Sequence, residues 1–248
     1  MKIFIFADNL LGYEVLKYLY SINENIVGVA IHPKRYQNYS DKIKKITKKT
    51  KLFTFNSKIS EKKINQIKEL KPDIILVVYW RFILKKNLFS IPTFGAINFH
   101  MGYLPFNRGA NPNVWPIIED TPAGFTIHKI DENVDSGEII IQKKIKHTIL
   151  DTGYTIHNKL IRNFIELFKE NWKQIKKKKF KGKKQNLKKG TFHYRKHFQK
   201  ISKIKLNKKI SIINLINILR AKMFSKHDPA FFYLNKKKYF IDIKIRKA

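Results

Sequence analysis

Cysteine is absent from all 248 residues. That excludes disulfides, thiolate zinc sites and a cysteine nucleophile. Carboxylates are scarce, with 18 Asp and Glu against 52 Lys and Arg, for a formal charge of +34. Long apolar runs are missing too. No window approaches the roughly 18 uninterrupted apolar residues of a membrane-spanning helix. The opening MKIFIFADNLLGYEVL reaches Asp8 and Asn9 too early for a secretory signal. A soluble cytoplasmic protein with no membrane role is expected.

What is present suffices for a folded enzyme-sized body. Hydrophobic residues make up 43% of the chain, and chains of this length bury roughly 70–75% of their extended surface. One domain with a small appendage is expected. The charge would suit a nucleic acid or an anionic membrane. The lysines, however, are spread through a chain equally heavy in Ile and Asn, and are not gathered with aromatics on one face. They read as compositional bias, so no nucleic-acid partner is expected. A surface that attracts diphosphates and polyglutamates does follow.

Periodicity predicts alternating strands and helices. Lys2–Asp8, Asn25–Ile31 and Pro72–Tyr79 read as buried strands, with Leu52–Phe55 and Phe94–Phe99 as further ones. Between them, Leu10–Ile22, Lys42–Lys51, Ser60–Leu70 (Ser60 as N-cap) and Lys85–Ser90 read as helical. This alternation predicts an α/β fold: a Rossmann-like, mostly parallel sheet with helices on both faces. Ala123–Ile130 and Ile139–Ile145 read as paired strands joined by the loop Asp131–Gly137, and Thr152–Lys179 as a long amphipathic helix. Lys181–Gly190 is a polar, lysine-rich connector. The expected division is a catalytic domain over residues 1–182 and a small C-terminal α+β domain over 191–248, with a helix at Ser211–Phe224 and a hairpin turning at Asn235-Lys-Lys-Lys.

Asn98 and His100, at i and i+2 on a terminating strand, project from one face. Asp135 follows in a loop between two strands. An amide can stabilise an oxyanion, an imidazole can move a proton near neutral pH, and a carboxylate can orient and charge-stabilise that imidazole. Together they could promote acyl transfer by direct attack of the acceptor, since neither a cysteine nor a serine elbow supplies a covalent nucleophile. Singly, each has a bland reading. Asn98 and His100 could cap a strand, and Asp135-Ser-Gly is a turn signal.

The set as a whole resembles the folate-dependent formyltransferases. Asn98-x-His100, Leu104-Pro105, Arg108-Gly109, Gly124-x-Thr126-x-His128, Asp135-Ser136-Gly137 and Gln142 occur in that family's order, over about residues 1–180. The resemblance implies transfer of a formyl group from N10-formyltetrahydrofolate to an amine, with Asn98, His100 and Asp135 as the triad. It also implies folate contacts at Tyr79, Trp80, Arg81, Phe82 and Ile83, and in the loop Asp131, Glu132, Asn133 and Val134. His-Met-Gly-Tyr-Leu-Pro stands where the family usually has His-Pro-Ser-Leu-Leu-Pro, so Met101 and Tyr103 bear on pocket width. No metal is implied.

Within the family, the segment Asn107–Trp115 and the tail after residue 190 look like the nucleotide-sugar N-formyltransferases. A homodimeric enzyme acting on a dTDP-linked amino-deoxy sugar, in surface polysaccharide (O-antigen) synthesis, is therefore expected. The resemblance assigns acceptor contacts to Asn9, Arg108, Asn111, Tyr194, Lys196, Arg220 and Phe224. Structural readings stand beside these: Asn9 as a helix cap, Arg108 as a solvated turn cation, Trp80 as partly core, and Tyr194, Lys196 and Phe224 as packing. His128 reads as structural or pocket-lining. The alternatives are a methionyl-tRNA formyltransferase-like enzyme and an inactive folate- or nucleotide-binding module.

Overall fold

The computed structural model describes residues 1–47, 50–57, 59–224 and 228–247. In chain order the first half runs β1 (Lys2–Ala7), α1 (Asn9–Ser21), β2 (Asn25–Ile31), α2 (Ser40–Ile46), β3 (Lys51–Thr54), α3 (Glu61–Glu69), β4 (Ile74–Val78), α4 (Lys86–Phe89) and β5 (Ala96–His100). Then come β6 (Arg108–Gly109), α5 (Trp115–Glu119), β7 (Gly124–Lys129), β8 (Ile139–Lys144) and α6 (Gly153–Lys176). The chain closes with β9 (Phe192–His193), α7 (Arg195–Ser202), α8 (Ile212–Lys222), β10 (Ala230–Leu234) and β11 (Lys237–Ile241). No described helix is long and apolar enough to cross a membrane.

The described chain divides into two compact units. The first comprises Met1–His100, Thr126–Ile141 and Ile161–Gln185; the second comprises Met101–Phe125, Gln142–Leu160 and Asn186–Ala248. A seven-stranded sheet of order β3-β2-β1-β4-β5-β7-β8 dominates the first. Its first five strands pair in parallel, and β7 lies antiparallel to β5. Residues 3–7 of β1 are fully buried on both faces, the signature of a parallel sheet covered above and below. Phe4 and Phe6 join Phe53, Phe55, Ile75 and Val77 in one apolar cluster. In β5, Phe99 points away from its neighbours Asn98 and His100 and stacks on Phe164 of α6 at 5.3 Å. Each such buried side chain contributes roughly 1.5–3 kcal/mol, so the core sets the direction in which Asn98 and His100 face.

Some elements differ from expectation. The helix expected over Lys42–Lys51 is α2, ending at Ile46; residues 48 and 49 of that stretch lie outside the described ones. Ser60 does occupy the N-cap of α3, in extended conformation, but its hydroxyl makes no capping hydrogen bond. The C-terminal hairpin is tighter than the four-residue Asn-Lys-Lys-Lys turn suggests. Leu234 pairs with Lys237, and only Asn235 and Lys236 turn, both at positive φ (49° and 63°). Two consecutive positive-φ residues match the twist of a two-residue hairpin. Lys237 and Lys238 are therefore strand residues, and β11 ends at Ile241.

In the second unit β6 pairs in parallel with β9. Gly109 sits at φ 88°, where a side chain would fall 2.3 Å from the carbonyl oxygen of His193, so glycine alone fits this crossing. Periodicity gave no sign of β6, α5, β9 or α7, because two-residue strands and short, mixed-polarity helices carry too little pattern.

Candidate active site

Parallel strands deliver their successors to the same edge of a sheet, and ligands in such folds bind at that carboxyl edge. In the first unit it carries Asp8 and Asn9 after β1, His32 after β2, Tyr79 and Trp80 after β4, and His100 at the end of β5. The antiparallel register of β7 adds one more group. Asn98 is the direct cross-strand partner of His128, and His100 of Thr126.

Asp135, in the loop between β7 and β8, completes the cluster. Its Oδ1 accepts a hydrogen bond from Asn98 Nδ2 at 3.1 Å. Its Oδ2 lies 3.4 Å from His100 Nδ1, and its Oδ1 lies 3.4 Å from His128 Nε2. His100 is 6% exposed and Asp135 12%. The loop is built to hold that carboxylate. Asp135 adopts φ 51°. Gln185 Nε2 donates to the carbonyls of Asp135 (3.0 Å) and Gly137 (2.7 Å). Asp131 Oδ1 accepts from Ser136 Oγ and from the Asn133 amide. Gly137 passes so close to the chain that a Cβ would stand 1.9 Å from the Lys129 carbonyl oxygen.

His128 is the group whose place residue-by-residue reading missed. Its Nδ1 lies 2.8 Å from the Lys129 carbonyl. A carbonyl only accepts, so Nδ1 carries the proton, and the neutral ring offers Nε2 as an acceptor to Asn98 Nδ2 at 3.2 Å. Both N–H bonds of the Asn98 amide are thus directed at protein acceptors, and flipping the amide would set its oxygen against the Asp135 carboxylate. The motif Gly124-x-Thr126-x-His128 held the signal. Only the β5–β7 register shows that this histidine opposes Asn98.

The residues assigned to the donor differ in setting. Burial pushes the Tyr79 hydroxyl up to about 12, although it shares a hydrogen bond with Asn9. Trp80 packs edge-on against Phe6 at 5.0 Å, and its buried Nε1 has no protein acceptor. The Arg81 guanidinium covers the Tyr36 ring at 3.8 Å. Phe82 meets Trp80 edge-on, and Ile83 is 72% exposed. Of the loop residues, Asp131 and Asn133 serve the turn, Val134 is half-buried, and Glu132 forms a surface pair with Lys86 at 2.5 Å. Lys86 holds the Glu132 carboxyl below its usual range.

Asn9 opens α1 at φ 60°, and its Oδ1 accepts the adjacent Leu10 amide at 2.6 Å. In the second unit Arg108 is half-buried over the Phe192 ring, and its buried Nε lacks an acceptor. Asn111 turns at φ 55°. Tyr194 is 57% exposed, with the Lys196 ammonium 5.4 Å above its ring. Phe224 packs edge-on against Tyr154 and His157. Arg220 departs from expectation. It is 5% exposed, and its guanidinium donates to the Thr148 and Asp151 carbonyls (3.0 and 2.7 Å) and to Asn217 Oδ1 (2.9 Å). It clamps backbone, so the acceptor contact assigned to it is not carried forward. The Leu104 carbonyl of the Leu-Pro motif accepts from Gln142 Nε2 at 2.6 Å. Among the described residues no three His, Asp or Glu side chains are grouped to hold a metal ion.

A family model described as formyl transferase matches residues 13–168. The chain belongs to the formyl transferase family. Residues 197–247 of this formyl transferase match a model described as the N-formyltransferase dimerization C-terminal domain. The bifunctional polymyxin resistance protein ArnA of Wigglesworthia glossinidia brevipalpis is 32% identical over 166 residues, 64% of this chain and 25% of that one. The chain spans about a quarter to about half the length of the curated relatives it matches. A 4-N formyltransferase from Francisella tularensis superposes with a TM-score of 0.84 at 25% identity, covering 100% of this chain and 98% of that one. The formyltransferase PseJ from Anoxybacillus kamchatkensis, solved with UDP-4,6-dideoxy-4-formamido-L-AltNAc and tetrahydrofolate, superposes with a TM-score of 0.58 at 28% identity, covering 81% and 89%.

Proposed function

We propose that this protein is a sugar N-formyltransferase that moves a formyl group from N10-formyltetrahydrofolate to the amine of a nucleotide-linked amino-deoxy sugar. The observation that carries the reading is the convergence of Asn98, His100 and Asp135, with the carboxylate within 3.4 Å of both partners. The whole-length likeness to a 4-N formyltransferase supports formyl transfer to an amine nitrogen. The likeness to PseJ supports the pairing of a nucleotide sugar with a folate. Thymidine is our choice of base, a homodimer our assembly, and the cytoplasm our location. Surface polysaccharide synthesis is our context for the product.

The donor supplies an activated formyl group. In the net reaction an amine N–H bond and the formyl carbon–N10 bond break, an amide C–N bond forms, and the proton ends on N10. His100 takes the amine proton through Nε2, the nitrogen facing away from Asp135, while Nδ1 faces the carboxylate. Asp135 favours the imidazolium electrostatically and keeps the ring aligned. Asn98 stabilises the developing oxyanion once an N–H is released from His128, its neutral acceptor.

Trp80 Nε1, a buried donor without a protein acceptor, fits a polar heterocycle, and the family resemblance assigns Tyr79–Ile83 and the loop Asp131–Val134 to the donor. Arg108, whose buried Nε also lacks an acceptor, fits an anionic acceptor. Asn111, Tyr194, Lys196, Phe224 and Asn9 complete the assignment.

Formyl transfer to dTDP- and UDP-linked amino sugars, with initiator methionyl-tRNA as the competing acceptor, tests the reading. Turnover with a nucleotide sugar is expected, and His100→Ala should lower it roughly 10²-fold or more. Turnover with the tRNA alone, or an unchanged His100→Ala enzyme, would sink it.

A further inference from the structure

The carboxyl edge of the sheet holds a second buried acid–imidazole pair, separate from the triad. His32, following β2, is 1% exposed. Its Nδ1 approaches Asp8 Oδ2 to 3.0 Å, close to the carboxylate but outside the alignment of a full hydrogen bond. The other Asp8 oxygen accepts the Asn38 amide at 3.0 Å. His32 Nε2 lies 3.4 Å from the Arg81 backbone N–H and can only accept from it. That assigns the ring proton to Nδ1, facing Asp8.

The same imidazole lies flat on the Trp80 indole, at 3.8 Å and 12° between planes. It also meets the Phe82 ring edge-on at 5.3 Å. One buried ring therefore touches three consecutive residues, each differently: a stack on Trp80, a hydrogen bond from Arg81, and an edge contact to Phe82. Gln37 secures the histidine from the other side by donating to its carbonyl at 2.8 Å.

Burying a histidine and a carboxylate costs desolvation that an apolar filler would avoid. Leucine could fill the space but could neither stack on the indole nor accept the Arg81 N–H. Phenylalanine could stack but not accept. Only an imidazole with its proton on Nδ1 serves both contacts. Asp8 favours that tautomer.

We infer that His32, oriented by Asp8, is a positioning residue that sets the Trp80 ring face and the Arg81–Phe82 backbone for the formyl donor. This rests on the assignment of Tyr79–Ile83 to the donor made above.

The test is calorimetric titration of tetrahydrofolate into wild type, His32→Phe and His32→Gln, with melting temperatures and steady-state kinetics alongside. His32→Phe keeps the stack and loses the acceptor; His32→Gln keeps an acceptor and loses the stack. Each variant should weaken binding about tenfold, the loss of roughly one good contact. The KM for the donor should rise in parallel, while kcat and the acceptor KM stay within twofold. A purely structural role would instead lower the melting temperature and degrade all three constants together. Folded variants that bind tetrahydrofolate within twofold of wild type would overturn the inference. So would failure of both variants to fold, which would make His32 a core residue. If wild type itself binds no tetrahydrofolate, the functional reading falls and takes this inference with it.

Discussion

Gly137→Ala should disable the site from a position that contributes no side chain to it. A Cβ at residue 137 would lie 1.9 Å from the Lys129 carbonyl oxygen and 2.8 Å from its carbon. Restoring even a 3.0 Å contact needs about 1.1 Å of backbone movement. The obstacle is main chain and cannot swing aside, because the Lys129 amide is bonded to the Glu138 carbonyl at 2.9 Å. Movement therefore passes to the loop two residues upstream, where Asp135 must stay 3.1 Å from Asn98 and 3.4 Å from His100. Displacing a catalytic group by about 1 Å can cost on the order of 10²-fold in rate. Overpacking of this kind costs roughly 1–3 kcal/mol in stability, or several degrees in melting temperature at this chain length. Turnover in the formyl-transfer assay, with a thermal melt of the same sample, measures both. A Gly137→Ala enzyme within threefold of wild-type turnover would refute the view that this crossing sets the carboxylate's position.

His193 gives a pH prediction. Burial, with His197 adding to it, lowers its pKa to about 4, and its ring stacks on Trp115 at 3.7 Å. Burial likewise raises the Glu119 carboxyl, whose Oε2 lies 3.1 Å from His193 Nε2. The unfolded chain protonates His193 near 6.5 and the folded chain does not, so stability is lost as pH falls from about 6.5 towards 4. Near pH 5 the loss is about 2 kcal/mol. Urea midpoints at pH 8 and pH 5 should show it, and His193→Phe, which keeps the stack, should flatten the difference. Arg220→Lys should lower stability by roughly 1–3 kcal/mol by leaving backbone carbonyls under-bonded, with the nucleotide-sugar KM within twofold. A tenfold KM rise at unchanged melting temperature would return Arg220 to the acceptor site.

Much of the first unit was legible along the chain. The apolar runs at 2–8, 25–31 and 72–79 are long, bounded and unbroken, so their strands follow from periodicity. Asn98 and His100 fall on one face because strand geometry has a period of two. The tight pass at Gly137 is foreshadowed by Asp-Ser-Gly. Short pieces were not legible: Arg108–Gly109 becomes a strand only because Phe192–His193 comes to lie beside it.

The kinds of group available for chemistry, and the order of the strands bearing most of them, were set by the residues alone, since local periodicity and side-chain chemistry need no partner. Three matters needed the tertiary structure. The register of an antiparallel edge strand placed His128 opposite Asn98. The β2-β1-β4 order of the sheet brought Asp8 and His32 together beside Trp80. Arg220 was spent on backbone carbonyls some 70 residues away in sequence. In each case the deciding contact joins residues whose proximity is a property of the assembled sheet or packed helix, and no local pattern encodes it.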